Sequence, residues 1–566
     1  MKSKKGVIPV CRWLSAALGS NKKWIFLVSA ARILEGLEGT LFAVELRSVI
    51  DFAVARQREP FLRHIGILLA LVLSAILLHV LGWYYEQKSS AQVEKCLRMH
   101  VFSQLLRRSY ADVSVVHSGE WMTRITSDTE IIRNILFQVL PNLGGMLVQI
   151  SSAFISLFLI LPWAAYVLLP AGLLLMVLAG LLRRRLKETW REVMRADGAA
   201  RSFMQERLSS LAIVHTFSQE DQTARQAEGK LDGLVRVRMR RTKFAAVCNF
   251  GAYAIMRGGY LLGVILCGFQ ILNARMSYGT MASVLQLISR IDGPIAEISD
   301  YVLRFFTMFA SAERLMEIEE YAPDCPEQPK DQSEIQTYYA GSFDAVGIRG
   351  GRFAYSNDEG GNAVIQDFNL EIRKGEYVAF TGESGCGKST VLKLFMNLYR
   401  LLDGEVYLRD ADGRERPLDA AWRGLFAYVP QGNDLLSGTI REVLTFGSPA
   451  QMEREDDLYQ ALRVACAEEF VRELPNGLDT KLGEYGSGLS EGQMQRIAIA
   501  RAILSGRPIL MLDESTSALD ERTEMDLLTN LQTMTNRTVI LVTHRPAALR
   551  ICGKQVKFEQ ENQAAT

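Results

Sequence analysis

The sequence predicts an α-helical six-span membrane domain followed by an α/β domain with a largely parallel sheet. Three observations predict this. Long apolar runs free of charged residues crowd the part before Ala310. Short β-like runs alternate with helical stretches after Tyr339. One of those runs, Tyr377–Thr381, ends in a glycine-rich loop that opens a helix. With 566 residues the chain is too long for one core. Its expected division is 1–320 for the membrane domain, 321–340 for a linker and 341–566 for the α/β domain.

Bulk properties exclude several classes. A formal net charge of +1 gives no pull toward nucleic acid. The mean hydropathy of +0.06 averages two unlike halves. The eight cysteines, Cys11, Cys96, Cys248, Cys267, Cys325, Cys386, Cys466 and Cys552, include no CxxC pair and no Cys/His cluster. That argues against both a disulfide framework and a zinc site.

A spanning helix needs about 20 mostly apolar residues. Ile65–Tyr85 and Asn134–Leu182 contain no Asp, Glu, Lys or Arg, and the second run has room for two spans with a turn at Leu161-Pro162-Trp163. Gly258–Ala274 is a fourth apolar core. Two more polar candidates, Trp24 to about Val49 and Tyr278 to about Leu303, complete six spans. Basic residues before the first span (Lys22, Lys23), after the fourth (Arg183, Arg184, Arg185) and before the fifth (Arg240, Arg241, Lys243) all fall on one side, which is cytoplasmic. The long inside connections, Glu86–Arg133 and Arg183–Lys243, keep helical periodicity and are expected to extend the spans into the cytosol. Val7–Leu18 is expected to be an amphipathic helix on the membrane surface.

The first span is unusual in carrying Arg32, Glu35, Glu38 and Glu45 along roughly one face. Arg257 lies in the fifth span, and Arg290, Asp292 and Glu297 in the sixth. Ionisable residues at membrane depth line water-filled cavities or pair with one another. Glu35, Glu38, Arg257 and Arg290 are the candidate lining of a central polar cavity. Salt bridges locking the helices together are the alternative.

Pro323, Pro326 and Pro329 amid polar residues mark the linker. Beyond it, Gly382-Glu383-Ser384-Gly385-Cys386-Gly387-Lys388-Ser389 fits G-x-x-x-x-G-K-[ST], and Thr390 continues into the helix. Such glycines let backbone N–H groups turn inward around phosphate oxygens; Lys388 would reach the terminal phosphates and Ser389 would ligate Mg²⁺. Asp513 and Glu514 end the apolar run Ile509–Leu512. Asp513 is placed to hold Mg²⁺ through water, and Glu514 to orient or deprotonate a water. The expected ligands are ATP and Mg²⁺.

Leu489-Ser490-Glu491-Gly492-Gln493, shortly before Asp513-Glu514, resembles the LSGGQ signature of ABC transporters. The likeness covers nearly the whole chain and points to an exporter-type half-transporter, a six-helix membrane domain fused to a nucleotide-binding domain. The resemblance implies adenine stacking by Tyr355, Mg²⁺ sensing by Gln431, a D-loop ending at Asp520, and a switch histidine, His544. It also implies that Ser490, Glu491, Gly492, Gln493 and Asp520 serve the ATP held by the opposite subunit. Gly483-Glu484 resembles the exporter X-loop, and Leu208–Glu220, with Ile213 and Phe217, the second intracellular loop. Glu491 departs from the pattern, replacing its first glycine, which implies a weakened rather than lost contribution.

The function implied is ATP-driven transport by alternating access, in the direction of export, of a polar, peptide-like or drug-like substrate. A lipid or siderophore transporter of the same fold, or an ATP-gated channel or sensor, is the alternative; a complete Glu514/His544 pair favours turnover over gating. Expected partners are a second copy of the chain or another half-transporter, with membrane lipid around them and no nucleic acid. The expected location is the bacterial inner membrane, with the nucleotide-binding domain in the cytoplasm.

Overall fold

The computed structural model describes residues 6–324, 329–355, 363–432, 435–483, 486, 488–534 and 536–558. Two compact units emerge. One comprises residues 1–103 and 118–317, the other 104–117 and 318–566.

The first unit is helical. A surface helix α1 (Val7–Leu18) precedes α2 (Lys22–Val54) and α3 (Arg58–Leu106). After the short α4 (Tyr110–Ser114) come α5 (Ser118–Ile160), α6 (Pro162–Ser209), the short α7 (Leu211–Thr216), α8 (Glu220–Leu272) and α9 (Tyr278–Glu320). The turn at Leu161 falls where proline requires it: Leu161 leaves helical geometry at φ −149°, and Pro162 opens α6 at a position where its missing N–H costs nothing. The polar connections are helical, as their periodicity predicts; α3 continues its span to Leu106 without a break.

Among the described residues, α3, α5 and α8 are long and apolar enough to cross a bilayer. α2 and α9 are comparably long but carry Arg32, Glu35, Glu38 and Arg290 within their apolar stretches. Side chains 163–184 of α6, with those of Asp292 and Glu297, lie outside the described residues. Helices α2 and α5 touch backbone to backbone. A Cβ at Gly36 would lie 2.7 Å from the Gly145 carbonyl oxygen, and one at Gly145 would lie 2.7 Å from that of Arg32. Small residues permit this approach where apolar burial alone cannot drive helices together.

The second unit is α/β. Helix α10 (Gln332–Gly341) occupies much of the stretch read as linker. Its Ile335, Tyr338 and Tyr339 are buried in the domain core, so an apolar face hidden among polar residues overrides the proline signal upstream. An antiparallel sheet, in the order β2 (Ile365–Arg373), β1 (Phe343–Phe353), β4 (Asp403–Asp410), β5 (Glu415–Pro417), stands beside a parallel one. The parallel sheet runs β11 (Lys554–Phe558), β3 (Tyr377–Gly382), β10 (Thr538–Val542), β9 (Ile509–Asp513), β6 (Phe426–Val429). A two-residue pair, β7 (Gly438–Thr439) and β8 (Lys481–Leu482), completes the strands described. Every residue of β9 and β10 is buried, as expected of parallel strands covered on both faces. The carboxyl ends of β3 and β9 flank that of β10, where Val542 pairs with both Phe380 and Asp513. Open parallel sheets bind ligands at this edge.

Candidate functional site

The loop after β3 turns through left-handed geometry at Gly382, Gly385 and Gly387, with φ of +136°, +87° and +100°. Gly382 is fixed by sterics as well. A Cβ there would lie 2.3 Å from the carbonyl oxygen of Phe558 in the adjacent strand. Helix α11 (Lys388–Phe395) starts at the end of this loop. Its first side chain, Lys388, is buried and donates to the Gly382 and Glu383 carbonyl oxygens at 2.7 Å each. The loop thus wraps its own ammonium group at a helix N-terminus, which is the geometry that cradles phosphate.

Ser389 Oγ donates to Asp513 Oδ1 at 2.9 Å, and Tyr428 Oη donates to Oδ2 at 3.0 Å. Burial pushes the Asp513 carboxyl above its ordinary value, against those two hydrogen bonds. A part-buried hydroxyl beside a buried carboxylate whose anion is costly by itself suits a hard divalent cation. Beside it, Gln431 donates Nε2 to Glu514 Oε2 at 2.7 Å, which leaves the amide oxygen free to accept a cation. Glu514 adopts φ +49°, rare for a residue with a side chain, and its N–H donates to the Val542 carbonyl oxygen at 3.1 Å. That kink turns the chain out of β9 immediately after Asp513.

The remaining motif residues lie at element ends. Tyr355 is half-exposed, packs edge-on to Phe353 and Tyr399, and its hydroxyl is 2.8 Å from Thr390 Oγ1. Ser490 caps helix α12 (Glu491–Leu504): its Oγ accepts from the Gln493 N–H at 3.3 Å, while Gln493 Oε1 accepts from the Ser490 N–H at 2.9 Å. Glu491 sits exposed in the first turn, where a carboxylate agrees with the helix dipole. Asp520 caps helix α13 (Glu521–Thr533), accepting from the Thr523 N–H at 3.0 Å. His544 is exposed just past β10. Glu484 lies outside the described residues.

Of the four cavity residues, Glu35 and Glu38 lie on α2 and the Arg290 side chain of α9 reaches the same helix at Gly39, whereas the described contact of Arg257 is within α8. Glu38 is buried on α2 and accepts from Ser74 of α3, with its Oε2 lacking a hydrogen-bond partner. Glu35 accepts from Arg32 at 2.9 Å, and Arg32 reaches on to Glu86 at 2.6 Å. The Arg290 guanidinium lies over Gly39, so close that a Cβ there would be 2.5 Å from it. Arg257 stands apart, exposed, with its Nε donating to Tyr253 Oη one turn away at 3.0 Å. The Arg32–Glu86 pair joins α2 to α3, and the Arg32–Glu35 pair lies within α2.

Residues 25–294 match the family described as ABC transporter transmembrane region, and residues 365–517 match the family described as ABC transporter. The chain belongs to the ABC transporter family. It is 27% identical to a multidrug resistance ABC transporter ATP-binding and permease protein of Lactococcus lactis, over 96% of this chain and 92% of that protein. It is 30% identical to ATP-binding cassette sub-family B member 10, mitochondrial, of Mus musculus, over 82% of this chain and 65% of that one. An ATP-dependent lipid A-core flippase of Desulfotalea psychrophila is 28% identical over 81% and 78%. A solved bacterial Atm1-family ABC exporter with ATP bound shares the fold, with a TM-score of 0.78 at 20% identity over 94% of each chain.

This ABC transporter chain is therefore a multi-pass membrane protein with a nucleotide-binding domain, and it couples ATP hydrolysis to transport. Sequence reasoning missed three residues that shape its site. Tyr428 holds the second oxygen of Asp513. Arg545, next to His544, donates to the carbonyl oxygens of Ser517 at 2.5 Å and Leu519 at 2.7 Å. Gln495 bonds both Ser517 Oγ and the Ala518 N–H. Arg545 and Gln495 together clamp the loop that leads to Asp520. Only Arg545, adjacent to a motif histidine, carried a local signal.

Proposed function

We propose that this chain exports a polar, peptide-like or drug-like substrate by alternating access, as a dimer of two identical chains with two ATP sites between them. The observation that carries the reading is the convergence of Lys388, Ser389, Asp513, Glu514 and Gln431 at one end of the parallel sheet. In the proposed reaction the P-loop from Gly382 to Thr390 cradles the phosphates and Tyr355 stacks on adenine. Glu514 accepts a proton from a water whose oxygen attacks the γ-phosphorus; the bond to the β-phosphate oxygen breaks and ADP leaves. His544 positions the γ-phosphate. Ser490 to Gln493 and Asp520 of the opposite copy close over the same nucleotide. Ser389, Gln431 and, through water, Asp513 would hold Mg²⁺, which when bound neutralises charge on the phosphate oxygens.

By the basic residues flanking the spans, the nucleotide-binding domain lies in the cytoplasm and the spans in a bacterial inner membrane. The first unit offers the substrate a polar surface at Glu35, Glu38 and Arg290. Buried charge there favours a zwitterionic or peptide-like molecule over an uncharged lipid. Arg257 joins that surface only if a second copy encloses its exposed face. Glu38→Gln tests the assignment: substrate-stimulated ATPase falls while basal ATPase holds. Equal loss of both would reduce Glu38 to a structural role.

A further inference from the structure

We infer that the groove between the turn that follows the surface helix and the cytoplasmic extension of α3 is a binding site for the headgroup of an anionic phospholipid. Helix α1 packs its inner face onto α3: Trp13 stands edge-on to His100 at 6.0 Å, and Cys96 Sγ donates to the Ala17 carbonyl oxygen at 3.4 Å. Its outer face presents Val7 and Ile8, 59% and 75% exposed, as lipid-facing apolar groups. Where α1 turns into α2, a groove of about 470 Å³ opens, lined by Asn21 and by Gln92, Lys95, Cys96 and Met99. The last four follow helical spacing and form one face of α3.

The level of the groove fits a headgroup. Trp24 stacks on Tyr85 at 6.1 Å, and Lys23 lies 5.8 Å over the same indole. Such an aromatic and lysine belt marks the membrane–water interface. Asn21 is one turn before Trp24, and Gln92 is two turns beyond Tyr85, ~10 Å along a helix. Lys95 is one turn further, within reach of the interface by its flexible stem.

The chemistry fits a phosphodiester. Asn21 and Gln92 supply amide donors, Lys95 a cation, and Lys22 and Lys23 flank the turn. No Asp or Glu precedes Glu35 in the chain. The nearest acids are already engaged. Glu94 is held by Arg98 at 2.5 Å and Arg133 at 2.9 Å, and Glu86 by Arg32 at 2.6 Å. The groove therefore keeps a net positive field beside the bilayer, where each basic residue adds about fivefold to attraction for an anionic surface.

The test uses the full chain in nanodiscs. Thermal unfolding is followed in phosphatidylcholine alone, with added phosphatidylglycerol, and with soluble glycerol phosphate. Phosphatidylglycerol is expected to raise the midpoint and glycerol phosphate to leave it unchanged. The double variant Lys22→Gln, Lys95→Gln should lose that rise, with ~30-fold weaker apparent affinity at fivefold per charge. Lys243→Gln, which removes a charge elsewhere, should retain it. An equal rise in the double variant overturns the site, equal loss in Lys243→Gln reduces it to bulk charge, and a full response to glycerol phosphate makes it a soluble-anion site.

Discussion

Glu514 carries the most chemistry per atom in the chain. Its φ of +49° stores about 1–3 kcal/mol of backbone strain, which the surrounding sheet must hold. Removing its charge while keeping its shape, in Glu514→Gln, should slow hydrolysis by ~100-fold or more and leave ATP binding intact. Undiminished turnover would reassign the base. A second residue-scale prediction concerns Cys552, whose thiol burial pushes up to about 11. At neutral pH it should react with maleimide on the order of 100-fold more slowly than exposed Cys11. The folded state holds that proton more tightly than the unfolded state. The stability this confers is complete below the thiol's ordinary value and is lost as pH climbs toward 11. Comparable labelling of the two cysteines would refute the burial. The residues that were legible in the sequence share one property: their chemistry demands fixed spacing along a single loop or strand end. Lys388, Ser389, Asp513 and Glu514 are of that kind. Tyr428 and Gln495 were hidden because each acts across strands or helices, at separations no local pattern encodes.

Among the elements, helix boundaries were read well where proline or charge set them. Val7–Leu18 and the turn before Pro162 are both placed by local physics. Helix α10 was not, because three prolines upstream dominated the reading while Ile335, Tyr338 and Tyr339 supplied the burial that holds it. Two elements invite tests. Helix α7 is followed directly by Phe217, and Ile213 and Phe217 are 60% and 69% exposed. Apolar groups so placed on a polar loop are suited to docking on a nucleotide-binding domain. Phe217→Ala should abolish substrate stimulation of the ATPase and spare its basal rate; unchanged stimulation would mean the ring packs only within its own loop. Within the first unit, Asp128 of α5 is buried and accepts from Ser311 Oγ at 2.9 Å and from the Arg314 guanidinium of α9. Asp128→Asn keeps the shape and strips the charge. It should lower stability by about 1–2 kcal/mol, because the Arg314 guanidinium is half-exposed and water takes over part of its solvation, read as a fall in unfolding midpoint. A midpoint equal to that of the native chain would show the pair to be dispensable.

For the whole molecule, the two-unit plan was legible because bilayer and water impose opposite compositions on the two halves of one chain. Arg257 marks the limit of that reading. A helix that is exposed in a single chain can face lipid, a second copy or a central cavity, and its sequence is compatible with each. In the proposed mechanism, two copies of this chain suffice for an ATP-driven cycle. The most direct test is Mg²⁺-dependent ATP hydrolysis by the full chain, expressed alone and purified into nanodiscs at the mass of a dimer. The native chain should turn over ATP, and Glu514→Gln should give a dimer that binds ATP and stays closed without hydrolysing it. An inactive chain that gains turnover only with a different half-transporter would contradict that mechanism.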